Sequence, residues 1–476
     1  MNSQRPKPAT FGFKNIGPVK DAEVEIGDLT IIAGRNNTGK TYIVYTLYGF
    51  LKMLQGRNRG DYFLENAMNH NTDFADIRWI IEEVSREGRA SISLDREKIR
   101  QQQQLVIQQL ARVYSKDALR LTFSTRHSDF KDSSIEVELN ETEPSSYFNV
   151  IGELHGGVQF SIDYDGSNFS VAVDATKDQR QILDFESEIA RYYFSLLLYN
   201  LFPDPLILSA ERFGISLFYK ELDFTKNQLV DLLQKMGDAK SRDWISPFLL
   251  IDKTTSRYAL PIKDNIDYTR DIPNLQESKS EVFESKLFDD IKDMMDGYYG
   301  NSGDDIRFIS KARGKGRSFN LPLHLASSSA RGLSDLYFFL RHAAQKNHLL
   351  IVDEPESHLD TSNQILLARL LARCVRAGLK VLITTHSDYL IKEINNLVML
   401  SRPFENKEAV VKKLKYSPED FLNPDSIRAY VAQDNSLIRC EVDKFGIDMP
   451  VFDETIDRIN RVANDLASRM SDESEA

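Results

Sequence analysis

The segment Leu29-Thr-Ile-Ile-Ala-Gly-Arg-Asn-Asn-Thr-Gly-Lys-Thr41 indicates the fold class of this 476-residue chain. It begins as a short apolar run and becomes, from Gly34 to Thr41, the pattern G-x-x-x-x-G-K-[ST]. The next residues, Lys40 to Leu54, carry apolar side chains at helical spacing. A buried strand, a glycine-rich loop and an amphipathic helix in this order predict a phosphate-binding loop in a doubly wound α/β fold.

The residues of this loop have separate predicted roles. Its glycines let successive backbone N–H groups surround phosphate oxygens, and the helix N-terminus adds positive potential. Lys40 is expected to reach the β- and γ-phosphates, and the Thr41 hydroxyl is expected to hold Mg²⁺. The predicted cofactors are therefore ATP and Mg²⁺, and the predicted nucleotide-binding residues are Gly34, Asn36, Asn37, Thr38, Gly39, Lys40 and Thr41.

Two more apolar runs, His348 to Val352 and Lys380 to Thr384, also end in polar residues. Ligands of open α/β sheets gather at the carboxyl ends of parallel strands, so these polar residues are expected near the loop. Asp353 suits Mg²⁺ coordination through water, and Glu354 is placed to orient or deprotonate the attacking water. His386, after the second run, is predicted to donate a hydrogen bond to the γ-phosphate.

A serine-rich segment, Ala326 to Leu333, precedes a helix predicted from Ser334 to His342. Hydroxyls and backbone amides at the start of a helix can hold an anion, whereas the simpler interpretation is an ordinary serine cap. The position of the segment shortly before Asp353 favours the anion site. The predicted binding residues here are Ser327, Ser328 and Ser329.

The composition restricts the class of protein. Acidic residues number 71 and basic residues 60, for a net charge of −11, whereas proteins that depend on non-specific nucleic-acid binding usually carry the opposite sign. Cys374 and Cys440 are too few for a disulfide framework or a four-ligand zinc site. No apolar run reaches the ~18 residues of a membrane span, and residues 1–10 lack the apolar core of a secretory signal. We expect a cytoplasmic protein that does not enter membranes.

Between about residues 90 and 173 the pattern is mostly of β type. Alternating segments such as Arg120 to Ser124 and Ile135 to Leu139 predict strands of an antiparallel subdomain. The phosphate-binding loop and Asp353 lie on the two sides of a later segment, residues 216–300, whose pattern is helical and polar. The pattern therefore predicts one head assembled from two parts of the chain, residues 1–215 and 301–476, the second of which includes the C-terminal tail.

Residues 216–300 are predicted to form a short helical insertion in that head. Its two arms are expected at Lys226 to Met236 and at Glu281 to Tyr298, with Pro261 and Pro273 between them. A further amphipathic helix is predicted in the tail, from Asp453 to Leu466, and core packing is the favoured explanation of its apolar face.

Together the motifs resemble the heads of ABC-type ATPases of the SMC, RecF and OLD kind. The resemblance rests on Phe13 to Ala22, on Leu29 to Thr41, on the block Asp353-Glu-Pro-Glu-Ser-His-Leu-Asp360 and on the following Thr385-His-Ser387. The segment Leu206 to Arg212 is similar to a strand of the OLD-like members. The resemblance implies an α/β fold, an ABC-type P-loop ATPase head with an antiparallel β subdomain and a short helical insertion.

The resemblance also implies a homo-oligomer in which two heads sandwich ATP, a dimer at least and a ring of dimers as a further arrangement. Ser327 to Ser329 would then meet the γ-phosphate held by Lys40 of the partner subunit, and Asp360 would lie in the loop that crosses the dimer. Serines stand at 328 and 329 where this family usually has glycines. We therefore expect slow hydrolysis.

What the chain lacks directs the functional prediction. The insertion is too short for the long coiled coil of SMC proteins, and no Asp-x-Asp follows His386 as it does in OLD-type nucleases. The layout resembles the stand-alone ATPases of bacterial anti-phage systems, chiefly the PARIS type, whose partner is a TOPRIM-type nuclease. The resemblance implies a sensor that holds a separately encoded toxic nuclease and releases it on detecting a phage protein.

Three alternatives remain open. A Septu-type ATPase would pair with an HNH nuclease instead. A RecF- or SMC-like DNA-maintenance ATPase would use the basic cluster Lys311, Arg313, Lys315 and Arg317 to touch phosphates, although such clusters are more often solvated loops. In the third alternative the protein is an assembly scaffold in which ATP is structural.

Overall fold

The computed structural model describes residues 9–55, 75–140, 148–154, 158–173, 182–198, 201–218, 258–275, 279–282, 285–302, 305–311, 317–449 and 458–467. The chain divides into two compact units. Unit 1 consists of Met1–Gly12, Gly49–Ala118 and Ser134–Asp204, and unit 2 consists of Phe13–Tyr48, Leu119–Ser133 and Pro205–Ala476. The predicted arm from Lys226 to Met236 lies outside the described residues.

The elements follow one another along the chain in a mixed α/β order. The strands are β1 (Thr10–Ile16), β2 (Val19–Glu25), β3 (Leu29–Gly34), β4 (Arg89–Ser93), β5 (Ser134–Glu138), β6 (Phe148–Leu154), β7 (Val158–Tyr164), β8 (Asn168–Val173), β9 (Pro205–Leu208), β10 (Gly297–Ser302), β11 (Asp305–Ser310), β12 (Asn320–Pro322), β13 (Leu349–Asp353), β14 (Lys380–Thr385), β15 (Ile427–Gln433), β16 (Ser436–Arg439), β17 (Val442–Asp443) and β18 (Gly446–Ile447). The α-helices are α1 (Lys40–Leu54), α2 (Ala75–Glu87), α3 (Arg96–Val113), α4 (Leu119–Thr122), α5 (Ile182–Leu198), α6 (Leu260–Leu275), α7 (Ser285–Met295), α8 (Ser328–Phe338), α9 (Thr361–Arg376), α10 (Asp388–Ser401) and α11 (Lys407–Lys413). Residues 212–218 and 458–467 are also helical.

A large mixed sheet forms the centre of unit 2, in the strand order β1-β2-β16-β15-β3-β14-β13-β9. The five consecutive strands from β15 to β9 run parallel to one another, whereas β16 is antiparallel to β15. The register pairs Asp353 with Thr384 and Thr385 with Ala33. This register brings the carboxyl ends of β3, β13 and β14 together at one edge of the sheet.

The central strands are continuous apolar runs because both of their faces are covered. Every residue of β3 and of β13 is buried. Helices α7, α8, α9 and α10 contribute apolar side chains to the same core, which also includes Leu350 and Val381. Among the described residues, no helix is long and apolar enough to cross a bilayer.

Unit 1 contains an antiparallel four-stranded sheet in the order β4-β8-β7-β6. Its register pairs Ala90 with Val171 and Ile162 with Val171, so alternate apolar side chains line one face. Helix α2 packs on β4 and β8, α3 packs on β5, and α5 contacts both helices. The antiparallel subdomain predicted from the sequence is therefore confirmed.

One predicted strand of this region is a helix. Arg120 to Ser124 alternates in polarity, but the structure forms helix α4 there, directly after a π-helical turn at Tyr114–Ala118. Leu119 and Thr122 are the buried residues, three positions apart. That spacing is one helical turn, and the alternating pattern of so short a segment fits either period.

The second predicted arm is shorter than expected. Helix α7 ends at Met295, and Asp296 adopts a left-handed φ of 52°, so the expected helical residue Tyr298 belongs to β10. The two prolines do not separate helices either, because both lie within α6. Pro261 occupies its first turn, where no backbone N–H donor is required, and Pro273 lies in its last turn.

The tail helix is not part of a core. Residues 458–467 are helical and all of them are exposed. The apolar side chains Ile459, Val462 and Leu466 are each between 54% and 62% exposed. The prediction of core packing is wrong for these residues, because an amphipathic pattern shows that a face is apolar and not what covers it.

Candidate functional site

The loop between β3 and α1 has the backbone that a phosphate cradle needs. Gly34, Asn37 and Gly39 have φ angles of +148°, +64° and +93°. A Cβ atom at Gly39 would lie 2.5 Å from Cγ2 of Val19, so only glycine fits that position without strain. The Thr38 hydroxyl donates to the carbonyl oxygen of Arg35 at 2.8 Å and closes the turn.

Lys40 is the first residue of α1, and its side chain is buried against the loop. Its Nζ donates to the carbonyl oxygens of Gly34 and Arg35, at 2.9 and 2.8 Å. Burial lowers the pKa of Lys40, while the nearby carboxylates of Glu354 and Asp353 oppose that shift. The ammonium group thus lies inside the loop, within reach of any anion that the loop binds.

Asp353 and Thr41 meet at the end of β13. One oxygen of the buried Asp353 carboxylate, Oδ1, accepts hydrogen bonds from the Thr384 hydroxyl and, at 3.4 Å, from the Thr41 hydroxyl. The other, Oδ2, has no hydrogen-bond partner within the described part of the chain. Burial raises the pKa of Asp353 to about 6, and its hydrogen bonds from Thr384 and Thr41 oppose the shift.

These oxygens suit a magnesium ion. Mg²⁺ prefers hard oxygen ligands, and in nucleotide sites it is held by one or two protein oxygens together with phosphates and water. The Thr41 hydroxyl and the unpartnered Oδ2 of Asp353 supply that chemistry. Within the described residues, no group of three or more His, Cys, Asp or Glu side chains could hold a metal ion by protein ligands alone.

Glu354 has an unusual backbone for a residue with a side chain, with a left-handed φ of 48°. Its N–H donates to the Thr384 hydroxyl at 3.0 Å. Its carboxylate accepts from the Ser357 hydroxyl at 3.2 Å and remains partly exposed. The Glu354 carboxylate is therefore free to meet a water molecule at the strand end.

His386 lies beside this carboxylate, with its Nδ1 atom 4.0 Å from Oε1 of Glu354. A second acid, Glu356, holds the same histidine: its Oε1 accepts from the backbone N–H of His386 at 2.8 Å and lies 3.3 Å from Nδ1. The same oxygen accepts from the Thr385 hydroxyl at 2.7 Å. Glu356 was not among the predicted site residues, although an acid two positions after Glu354 was the available signal.

The serine segment is mostly the start of a helix. Helix α8 begins at Ser328, six residues earlier than the predicted Ser334, and Ser327 is its N-cap. The Ser327 Oγ accepts from the N–H of Ala330 at 3.2 Å and lies 3.0 Å from the hydroxyl oxygen of Ser329. Arg331 donates to the Ser328 hydroxyl at 3.3 Å. The capping interpretation therefore holds for Ser327.

The structure does not bring every predicted site residue together. No hydrogen bond between described residues joins the serines 327–329 to the loop Gly34–Thr41. Asp360 caps α9, and its Oδ1 accepts from the backbone N–H groups of Ser362 and Asn363 at 2.9 and 3.1 Å. Within one chain, the site consists of the loop and the ends of β13 and β14.

Glu211, which follows β9, is another acid that the sequence analysis did not assign. Its Oε2 accepts from the hydroxyl of Tyr45 on α1 at 3.2 Å. Its negative charge contributes to the raised pKa of Asp353. The end of β9 therefore adds negative charge close to Asp353.

Comparison with known proteins identifies the family to which this chain belongs. The family model described as an AAA ATPase domain matches residues 11–391. No curated protein matches the chain.

Solved structures that match the chain are distant from it. They include the SMC head domain from Thermotoga maritima, at 12% identity, which covers 92% of this chain and 100% of that chain with a TM-score of 0.30. The SmcHead bound to the C-winged helix domain of ScpA has 12% identity, coverages of 92% and 99%, and a TM-score of 0.34. An Smc head domain with an extended coiled coil, bound to the C-terminal domain of ScpA derived from Pyrococcus furiosus, has 13% identity, coverages of 96% and 100%, and a TM-score of 0.30.

Proposed function

Because the chain belongs to the AAA ATPase domain family, whose model matches residues 11–391, we propose that it binds ATP with Mg²⁺ and hydrolyses it at this site. The observation that carries the proposal is the meeting of the Thr41 hydroxyl with the Asp353 carboxylate, directly before Glu354. A P-loop and an acidic strand end are the two parts that phosphoryl-transfer enzymes of this type require.

The chemistry follows from the positions of the side chains. Lys40 transfers its hydrogen bonds from the carbonyls of Gly34 and Arg35 to phosphate oxygens, and the loop N–H groups bind the rest of the phosphate chain. Thr41 and Asp353 would hold the magnesium ion, which would supply positive charge against the phosphates. Glu354 orients the attacking water and accepts its proton, while His386 donates a hydrogen bond to the γ-phosphate.

We further propose that hydrolysis requires a second copy of the chain. Ser327 to Ser329 lie at the N-terminus of α8, where backbone N–H groups and the helix dipole favour an anion. Since no hydrogen bond links them to the loop of their own chain within the described residues, their phosphate would be the one bound by the partner. Asp360 would lie in the same contact.

The biological role that we propose is control of a separate nuclease in phage defence. The supporting argument is a resemblance, in size and layout, to the AriA component of the PARIS system, whose partner is a TOPRIM-type nuclease. The described residues add one point, because they hold no cluster of metal-ligating side chains for a nuclease site of their own. The chain would hold the nuclease and release it on sensing a phage protein.

Two variants test hydrolysis directly. Lys40→Ala should lose ATP binding, whereas Glu354→Gln should bind ATP and hydrolyse it at least about a hundredfold more slowly, accumulating an ATP-bound oligomer. Measured ATP turnover and native mass in the presence of ATP would show both effects. Equal turnover in the wild type and Glu354→Gln would contradict the proposed role of this carboxylate. A Glu354→Gln variant that loses turnover but keeps its function intact would favour the scaffold alternative.

The partner is tested by expressing the chain with the product of its neighbouring gene. An ATP-dependent complex with a nuclease that is lost in Lys40→Ala supports the gating role. A chain that ignores its neighbour and binds DNA with steep salt dependence would instead favour the RecF- or SMC-like alternative. Of the basic cluster, Lys311 pairs with Asp293 at 2.6 Å, whereas Arg313 and Lys315 lie outside the described residues.

A further inference from the structure

Arg212 is a buried cation that the proposed mechanism does not use. It follows the strand β9, and only 5% of its surface is exposed. Its guanidinium donates four hydrogen bonds, all to backbone carbonyl oxygens, and it makes no ion pair within the described residues. Burial lowers its pKa, and the charges of nearby acids such as Asp353 and Glu356 oppose the shift.

The four carbonyls lie in three separate parts of unit 2: directly after β9, at the end of β13, and in α8. Nη1 donates to Ser209 at 3.1 Å and to Asp353 at 2.7 Å, and Nη2 donates to Glu354 at 2.9 Å. Nε donates to Gly332 in helix α8 at 3.2 Å. A guanidinium is planar and rigid, so these acceptors are held in a fixed mutual arrangement. The ammonium group of lysine has neither the reach nor the fork for all of them.

The peptide of Glu354 is the strained part of this arrangement. Residues with a left-handed φ persist only where their surroundings hold them, and such residues concentrate at functional sites. Here the N–H of Glu354 donates to Thr384, and the carbonyl oxygen of Glu354 accepts from Arg212. The backbone that carries the water-activating carboxylate is therefore held on one side by β14 and on the other side by Arg212.

We propose that Arg212 is a positioning residue that ties the strained backbone of Glu354 to helix α8. The start of that helix carries the serines 327–329, so a phosphate contact made there reaches Glu354 through one rigid side chain. The orientation of the Glu354 carboxylate then depends on the position of α8. This inference rests on the proposed hydrolysis of ATP at the Glu354 site.

The test compares Arg212→Met and Arg212→Lys with a matched control, Arg373→Met. Arg373 is also largely buried, but its guanidinium pairs with Asp290 and Asp420, which are not residues of the site. We expect Arg212→Met to lower kcat at least about tenfold with KM for ATP within about twofold of wild type, because the carboxylate is misplaced while the loop is unchanged. Arg212→Lys should recover only a small part of kcat, and Arg373→Met should keep it.

A double mutant separates positioning from general loss of stability. If Arg212 acts through Glu354, then Arg212→Met combined with Glu354→Gln should be no slower than Glu354→Gln alone. Independent effects would multiply instead and would overturn the proposal. Thermal unfolding shows whether each variant is folded. If Arg212→Met is unfolded, Arg212→Lys replaces it in the comparison with Glu354→Gln.

The outcomes also separate this inference from the function on which it rests. A wild type without ATP turnover would overturn the proposed function itself. An active wild type whose folded Arg212 variants keep kcat within about twofold would overturn only the role of Arg212. If Arg373→Met lost as much kcat as Arg212→Met, the loss would reflect a general loss of stability, and the proposed role of Arg212 would be overturned as well.

Discussion

Gly39 shows at the scale of one residue how the loop depends on backbone freedom. Its φ of +93° is unfavourable for other residues, and a Cβ would meet Val19. We predict that Gly39→Ala lowers the free energy of unfolding by about 2 kcal/mol and weakens ATP binding. Urea unfolding measures the first effect. Gly214→Ala is the control, because nothing lies within 4 Å of its Cβ position and its stability should not fall.

Asp335 is a buried acid in α8 that predicts a pH dependence of stability. Burial raises its pKa from 3.8 to about 6, and hydrogen bonds from Thr269 and Ser334 oppose the shift. The folded state therefore binds this proton more tightly than the unfolded chain does. Its contribution to stability is greatest below about pH 4 and declines as the pH rises through about 6.

The neutral variant Asp335→Asn should not show that decline. We predict that its free energy of unfolding, relative to wild type, increases by about 2 kcal/mol between pH 4 and pH 7. Denaturant unfolding across this range measures the difference. The exposed Asp165 is a control with a pKa shift in the opposite direction, because hydrogen bonds from Asn168 lower its pKa. The free energy of unfolding of Asp165→Asn, relative to wild type, should therefore not increase as the pH rises. A flat difference for Asp335→Asn would contradict the prediction.

The sequence could predict the residues of the site that lie in continuous motifs. The loop Gly34–Thr41 and the pair Asp353 and Glu354 each stand at the end of an apolar run, so their neighbours in the chain reveal them. Glu356 and Arg212 contact partners that are distant along the chain, His386 and Gly332, and no local pattern predicts such contacts. The roles of all these residues remain predictions.

At the scale of the elements, the side-chain amide of Asn265 hydrogen-bonds the backbone of the edge strand β9 and of the residue that follows it. Asn265 of α6 is fully buried; its Oδ1 accepts from the N–H of Ser209 and its Nδ2 donates to the carbonyl of Ile207, both at 2.6 Å. The side chain thus takes the place of a further strand at this edge of the sheet. Helix α6 thereby fixes the strand that leads to Arg212.

We predict that Asn265→Leu destabilises the protein by about 2 to 4 kcal/mol, because it leaves a buried N–H and a buried C=O without partners. Hydrogen exchange at the amide of Ser209 should become faster than in wild type. Lys263→Leu, at an exposed position of the same helix, is the control and should change stability little. Unchanged exchange at Ser209 in Asn265→Leu would refute the role of this amide.

The α/β fold class, an ABC-type P-loop ATPase head, is confirmed by the family match and by the mixed sheet. Its central strands could be predicted because strands buried on both faces read as unbroken apolar runs, as β3 and β13 do. Helix α4 could not be predicted, because the apolar residues of its short segment fit both the helical and the strand repeat. The strand order could not be predicted either, since β15 pairs with β3 from the other end of the chain.

At the scale of the whole molecule, unit 2 is built from three separate segments of the chain, and the exposed helix 458–467 lies in the last of them. We predict that a chain ending at Asp457 keeps its melting temperature within about 2 °C and keeps its ATP turnover, because no side chain of that helix is buried. Differential scanning calorimetry measures the first quantity. A melting temperature lower by more than about 5 °C would show that the helix packs on the head. The predicted division at residues 215 and 300 stays a prediction.

The left-handed backbone of Glu354 has a consequence for protein engineering. Glycine tolerates a φ of 48° and alanine does not, so Glu354→Gly should be more stable than Glu354→Ala by about 1 kcal/mol, in contrast to their order within helices. Thermal melts of the two variants, both expected to be inactive, measure this difference. The wild-type glutamate has the same unfavourable φ, so selection for heat resistance alone would favour Glu354→Gly, which is expected to be inactive. Directed evolution of this chain therefore needs a simultaneous selection for ATP turnover.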